Sequence, residues 1–351
     1  MDALIGQVMA DYHGHVPGAS VMVRAGDAEA LVRSFGYADL EKGVPAAPAS
    51  CYRLASMTKQ FTAAATLLLA QERQLSLEDP VRAWLPALPA TAGRATLRHL
   101  LTHTAGVIDY EELIPAGRRH QLRDADVLQL LAHEDRTYFE PGTRFRYSDS
   151  GYALLGLVIA RAAGEDFASF LRRRIFLPLG MESTVAYEQG VSGIAARAFG
   201  YSAHAAGWLR TDQSLTSAVL GDGGVYSSVA DLTRWDAALS DTRLLSARSL
   251  HEAFAPATAT ADPNVRYGLG WRLTGESAWH SGETLGFRSV IVRLPSRRLT
   301  VIVLTNRGQG SPYDLALQIV RGLLPEAELP RAAEVMVGPD PGAHPLPPGA
   351  A

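Results

Sequence analysis

The stretch Arg288-Ser289-Val290-Ile291-Val292-Arg293-Leu294-Pro295-Ser296-Arg297-Arg298-Leu299-Thr300-Val301-Ile302-Val303-Leu304 divides into two apolar runs and a four-residue break. The runs are rich in β-branched residues, and Pro295 to Arg298 supplies turn chemistry, so the spacing predicts a hairpin. Upstream, Gly268 to Leu273 and Ala278 to His280 read as further strands, and Asp314 to Leu324 as a closing helix. At the other end of the chain Ala19 to Arg24 and Ala28 to Tyr37 flank Gly26-Asp27, a second hairpin signal, with Asp2 to Tyr12 an amphipathic helix before it. Strands at both ends with helices between them imply an α/β (α+β) fold. An antiparallel sheet would be built from the two termini and flanked by helices, with the middle as a large helical insertion.

The division expected on this basis is a sheet domain of residues 1–55 plus 265–324 and a mainly helical domain of residues 56–264. A Pro-rich tail, 325–351, is expected to be poorly ordered. In the helical part Asp79-Pro80 reads as a helix start and Thr96 as the cap of Leu97 to His103. Asp124 to His133, Gly151 to Ala163 and Glu165 to Leu177 carry helical periodicity, and Ser228 to Asp231 reads as a capping box for Leu232 to Ser240. Lys42 to Ser50 reads as loop. A site would lie in the cleft between the two parts.

Composition narrows the function classes. A net charge of −3 on 351 residues carries no footprint for nucleic acid or an anionic membrane. The single cysteine, Cys51, rules out an internal disulfide and a Cys-rich metal site, and reads as a small buried residue. No apolar run approaches the ~20 residues of a membrane span. The opening residues Met1 to Gln7 lack a basic segment and a long apolar core. The expectation is a cytoplasmic chain, or a periplasmic or secreted one beginning at its mature start.

Chemistry is concentrated around Leu54-Ala55-Ser56-Met57-Thr58-Lys59-Gln60-Phe61. A helix opening here carries Ser56 and Lys59 on one face, three residues apart. Free N–H groups and the positive end of the helix dipole favour an alkoxide at Ser56. Of the 33 basic residues other than histidine only Lys42 and Lys59 are lysines. Arginine keeps its proton, whereas a desolvated lysine can lose one and serve as a base.

Two further stretches belong with this one. Phe139 to Tyr152 is a turn-rich loop that delivers Tyr147-Ser148-Asp149 just before a helix, and His280-Ser281-Gly282-Glu283 ends a strand. With these three motifs in this order the chain resembles the serine β-lactamase and penicillin-recognising hydrolase superfamily. The branch is that of class C β-lactamases, D-alanyl-D-alanine carboxypeptidases, D-aminopeptidases and related esterases. Leu100 to Gly106, Pro178 to Met181 and Gly223 to Ser228 are similar to stretches those proteins carry, and the likeness covers about residues 15–310.

The resemblance implies a β-lactamase/transpeptidase-like fold and an acyl-enzyme on Ser56. Lys59 and Tyr147 would share the proton transfers, with Lys59 as the cation that makes the Tyr147 phenolate accessible. The backbone N–H groups of Ser56 and Glu283 would form the oxyanion hole. Asp149, His280, Ser281 and Gly282 would line the substrate, and Ser148 either joins them or caps the following helix. No metal or cofactor is implied.

Two positions depart from the family pattern. Asp149 stands where class C β-lactamases and many carboxypeptidases have asparagine; a carboxylate cannot donate to a substrate carbonyl, and it raises the lysine pKa. His280 stands where most β-lactamases have lysine, and a neutral imidazole attracts a substrate carboxylate less strongly. If His280 does bind a carboxylate, activity on acidic substrates should strengthen as pH falls through about 6.5. Both changes argue against an efficient β-lactamase. The expectation is a serine hydrolase of amide or ester bonds, of carboxypeptidase, peptidase or esterase type and at most a weak β-lactamase. Its partner would be a small ester or amide, or a D-amino-acid peptide. The alternative is a penicillin- or peptide-binding regulatory relative with little turnover.

Three other signals do not carry function. His99 and His103 have zinc-ligand spacing but lack the adjacent glutamate of H-E-x-x-H, so capping or core is the better reading. Gly221-Asp222-Gly223-Gly224 lacks the lysine of a phosphate loop and reads as a turn. Arg172-Arg173-Arg174 is a solvated helical face.

Overall fold

The computed structural model describes residues 1–327 and 329. Among them an antiparallel sheet of eight strands runs in the spatial order Thr258–Ala259, Arg266–Tyr267, Arg272–Thr274, Ser277–Thr284, Phe287–Leu294, Leu299–Thr305, Ala19–Ala25, Leu31–Phe35. The expected hairpin is present: Arg293 stands opposite Thr300 and Arg288 opposite Thr305, across a short 3₁₀ turn at Pro295–Arg297. The N-terminal strand is inserted beside it, with Val21 opposite Val303 and, on its other edge, Arg33. The sheet also takes in Thr258–Ala259, which lies ahead of the expected start at 265.

Period-two alternation sends alternate residues of the central strands to two different cores. Val21, Val23, Val290, Val292, Val301 and Val303 pack on one face beneath the helices Asp2–Val8 and Pro312–Leu323. Met22, Ile291, Ile302 and Leu304 pack on the other, against the helical part of the chain. Burial on both faces explains why these strands read as continuous apolar runs rather than clean alternation. A buried polar tie joins sheet to helix: Asp236, on the helix Val229–Ala238, accepts from Arg293 Nε (2.6 Å) and Thr300 Oγ1 (2.9 Å) and pairs with Arg24 (3.1 Å).

At the centre of the helical part lies Lys59–Gln71, buried from Lys59 to Leu69. A 3₁₀ turn, Ala55–Thr58, precedes it and holds Ser56. The helix expected from Gly151 begins two residues earlier, as Asp149–Ala163, and stops at Gly164 in the left-handed conformation that glycine tolerates best. The run Glu165 to Leu177 divides into Phe167–Leu171, capped by Asp166, and a wide π turn over Arg172–Phe176. The Asp79-Pro80 start is corrected: Pro80 is extended and precedes Val81–Trp84, while Asp79 accepts from Ser76 N and Trp84 Nε1. Half of the Ser228 box forms, because Asp231 turns to Ser183 N and Thr184 Oγ1 instead. Lys42 to Ser50 is not all loop, since Val44–Pro45 pairs with Tyr37–Asp39.

No helix among the described residues is long and apolar enough to cross a membrane. Cys51 is buried, and burial pushes its thiol up to about 12. Of the expected tail, Ala327 and Leu329 pack on the sheet's outer core; 328 and 330–351 lie outside the described residues.

Candidate active site

Two strands hold the turn Ala55–Thr58 from opposite sides. On one side Leu54 N donates to Val225 O (2.9 Å) and Val225 N to Thr58 Oγ1 (3.1 Å). On the other, the strand Ser277–Thr284 presses Gly282 so close that a Cβ there would stand 1.9 Å from Leu54 O. Gly282 is thus the position at which the sheet meets the turn, and its hydrogen is what lets it do so. Ala55, one residue before Ser56, sits at φ 49°, a conformation that costs a non-glycine residue about 1–3 kcal/mol.

Lys59 is fully buried, and its ammonium has three acceptors: Asp149 Oδ1 at 2.5 Å, Ser56 Oγ at 3.0 Å and the Asp222 carbonyl at 3.0 Å. It also stands 5.0 Å from the centre of the Tyr147 ring. Burial pulls the Lys59 pKa down, but Asp149, Tyr147 and Asp222 outweigh it, and the net shift is upward. At neutral pH Lys59 is an ammonium that donates to Ser56.

The Tyr147 hydroxyl is buried without a well-aligned partner. Burial raises its pKa, Lys59, Arg272 and the nearby Ser56 hydroxyl pull it back, and Asp149 adds to the rise. Ser148 occupies the N-cap position of Asp149–Ala163 but makes no side-chain capping bond, so the capping alternative does not form. Asp149 N instead donates to Asp109 Oδ2 at 2.9 Å.

The structure therefore brings Ser56, Lys59, Tyr147 and Asp149 together at one place, with Gly282 against the turn that carries Ser56. The other strand residues are less simple. His280 is corrected from a cleft-lining group: it is 1% exposed, with Nε2 3.0 Å from Tyr267 Oη and Nδ1 2.6 Å from Ser281 O. Burial, then Arg272 and Lys59, hold its pKa well below the usual histidine value, so it stays neutral and cannot titrate near pH 6.5. Ser281 lies buried beside it. The Glu283 carboxylate pairs with Arg288 on the neighbouring strand. Ser277–Thr284 is paired to Arg272–Thr274 only through Ser277 to Trp279, so among the described residues the following edge, which carries Glu283, has no strand on that side.

Three groups escaped the sequence reading. Asp222, in the dismissed glycine-rich turn, presents its carbonyl to Lys59 and its carboxylate to Tyr110 Oη at 2.9 Å; burial and then Asp149 hold that carboxylate well above the usual range. Asp109, behind Asp149, is raised to about 6 by burial and by Asp149. Arg272 is 8% exposed, 5.3 Å from the Tyr147 ring centre and 5.4 Å from that of Trp279. It forms no ion pair among the described residues, and its Nε is buried unpartnered. The glycine-rich spacing hid Asp222, and strand periodicity says nothing of what Arg272 faces. No group of three potential metal-binding side chains occurs among the described residues.

A family model described as Beta-lactamase matches residues 1–323. The chain belongs to the beta-lactamase family. Penicillin-binding protein 4* of Bacillus subtilis is 34% identical over 303 residues, covering 81% of this chain and 67% of that protein. Against the curated relatives it matches here, this beta-lactamase-family chain spans 58% to 70% of their length. Among solved structures, the octameric penicillin-binding protein homologue from Pyrococcus abyssi superposes with a TM-score of 0.83 at 27% identity, covering 94% of this chain and 78% of that one. The D-amino acid amidase from Ochrobactrum anthropi SV3 complexed with D-phenylalanine superposes at 0.78 and 26% identity, covering 92% and 99%. The expected β-lactamase/transpeptidase-like fold is borne out, and with it the coarse function: a serine hydrolase of the β-lactamase fold, acting through an acyl-serine.

Proposed function

We propose that the chain hydrolyses the amide or ester bond of a small acyl compound, with D-amino-acid amides and short D-peptides as the favoured class and β-lactams as poor substrates. The observation that carries the reading is the contact of Lys59 Nζ with Ser56 Oγ at 3.0 Å, inside a shell that keeps the lysine charged. In the fraction of enzyme whose Tyr147 has first lost its proton to solvent, Ser56 Oγ attacks the acyl carbon as its own proton passes to the phenolate; the Lys59 ammonium stabilises both oxygens while their charge changes. The carbonyl oxygen, now negative, is held by the N–H groups of Ser56 and Glu283. Tyr147 returns the proton to the leaving amine or alcohol as the C–N or C–O bond breaks. Water then repeats the sequence on the ester, with Tyr147 as base, and frees Ser56.

Substrate class rests on two supports. One solved neighbour is an amidase complexed with D-phenylalanine. At the position where a lysine would attract a β-lactam carboxylate the chain has His280, buried and neutral, and at the position where an amide would donate it has the carboxylate of Asp149. A second reading, a slowly acylating binding protein, draws on the same Lys59–Asp149 pair, since a lysine held protonated is a weak base.

Intact-protein mass spectrometry after brief incubation with benzylpenicillin, alongside turnover of D-phenylalaninamide and p-nitrophenyl butyrate, separates these cases. Ser56-dependent turnover of either substrate, with no lasting penicillin adduct, supports the hydrolase. A persistent adduct without turnover supports the binding protein. Turnover that survives Ser56→Ala would sink both.

A further inference from the structure

His103 grips the loop that carries Tyr147 at three points. Its backbone carbonyl accepts from Arg146 N at 3.0 Å, and its ring Nδ1 accepts from Ser148 N at 3.2 Å, so the two bonds bracket Tyr147 in the chain. Its ring lies along the Tyr147 ring, with centroids 4.2 Å apart and planes at 31°. On its other sides it meets Tyr267 at 4.7 Å and Tyr152 at 5.2 Å.

An Nδ1 that accepts a backbone hydrogen bond puts the proton of the neutral ring on Nε2. That nitrogen is buried and unpartnered, on a side chain that is 3% exposed. Burial and the cations Lys59 and Arg272 keep the ring neutral. The backbone is held at φ 56°, a left-handed conformation unusual for a residue other than glycine. Strain of this kind and an orphaned ring nitrogen persist where the surroundings fix them, and here the surroundings are the Tyr147 loop.

We infer that His103 is the positioning residue for Tyr147: its ring and its Nδ1 together fix where the phenol stands relative to Ser56 and Lys59. The inference rests on the proton-transfer role proposed for Tyr147. It predicts that loss of His103 acts on turnover and not on substrate capture, and acts only through Tyr147.

Two substitutions separate the two grips. His103→Phe keeps a ring but has no acceptor. His103→Asn places an amide oxygen where Nδ1 stood and tolerates a positive φ, so it also serves if the phenylalanine variant does not fold. Each is measured alone and combined with Tyr147→Phe, reading kcat and KM on p-nitrophenyl butyrate. The expected result is a fall in kcat of about tenfold or more in each single variant, with KM within about twofold, and little further loss when either is added to Tyr147→Phe. Losses that multiply in the double variants, or wild-type kcat in the folded single variants, would overturn the inference and leave the role of Tyr147 standing. A Tyr147→Phe enzyme with wild-type kcat would overturn the parent reading and this one with it.

Discussion

Asp149 Oδ1 lies 2.5 Å from Lys59 Nζ, on an ammonium that also reaches Ser56 Oγ. A carboxylate in this place does what an asparagine cannot: it holds the lysine charged, so the lysine acts as a cation for Ser56 and Tyr147 and leaves proton removal to the phenol. It also raises the Tyr147 pKa. Removing its charge lowers the pKa of both groups. In Asp149→Asn the acid limb of the kcat/KM profile should therefore move to lower pH, by roughly 1 or more on the pH scale. A profile superimposable on wild type would show that Asp149 does not set the proton affinity of the site.

Arg272 pulls the other way. It is the second cation over Tyr147, and its charge lowers the phenol pKa. Arg272→Met should move the same limb to higher pH, opposite to Asp149→Asn. Where that limb governs the rate, activity at neutral pH should fall about tenfold if the phenol becomes ten times harder to ionise. Movement of the limb in the same direction in both variants would contradict the electrostatic account.

Ser56→Ala and Lys59→Ala should each lower kcat by about a thousandfold or more on any acyl substrate that the protein turns over. Lys59→Ala also leaves Asp149 facing a cavity without its cation, so circular dichroism is recorded beside the kinetics. Residual turnover within tenfold of wild type in folded protein would count against the assignment.

Gly282→Ala places a methyl group 1.9 Å from Leu54 O, two residues before Ser56. Backbone on both sides of the contact leaves little room to yield. The variant should lose about 2 kcal/mol or more of stability, with activity falling beyond what the unfolded fraction explains. Thermal melts and kinetics at a temperature where both proteins are folded provide the check.

Asp236→Ala leaves Arg293, 3% exposed, without its anion in the contact between sheet and helix. A cost of about 3–5 kcal/mol is expected, read as a lower urea midpoint with the m-value unchanged. The site lies elsewhere, so KM should hold. A midpoint close to wild type would mean that water replaces the lost carboxylate.

Much of this arrangement was legible beforehand because the relevant signals are local. The Val290–Val303 hairpin, the Gly26-Asp27 turn and the stop at Gly164 follow from residue types within a few positions of each other. The Ser56–Lys59 contact likewise needs only one helical turn. What escaped depends on surroundings. His280 reads as a polar residue at a strand end and becomes a buried neutral ring because Tyr267 and the Ser281 carbonyl enclose it. Asp222 reads as a turn residue, yet its carbonyl reaches Lys59 across more than 160 residues of sequence. His103 carries zinc-like spacing from His99, but the fold gives its ring to a tyrosine loop instead. Periodicity reports which face of an element is apolar and is silent about which distant group will meet it.

The place of Ala19–Ala25 between Leu299–Thr305 and Leu31–Phe35 has a consequence for how the molecule is made. The ribosome emits this strand about 280 residues (299 − 19) ahead of its long partner Leu299–Thr305. At about 5–20 residues per second, the interval is tens of seconds. Through that time Val21, Met22 and Val23 belong to a two-stranded hairpin whose free edge is apolar and unpaired, the kind of edge on which nascent chains stick to one another. The Ser56 turn, braced by Gly282, has to wait as well. Activity arrives only when Leu299–Thr305 folds back onto Ala19–Ala25.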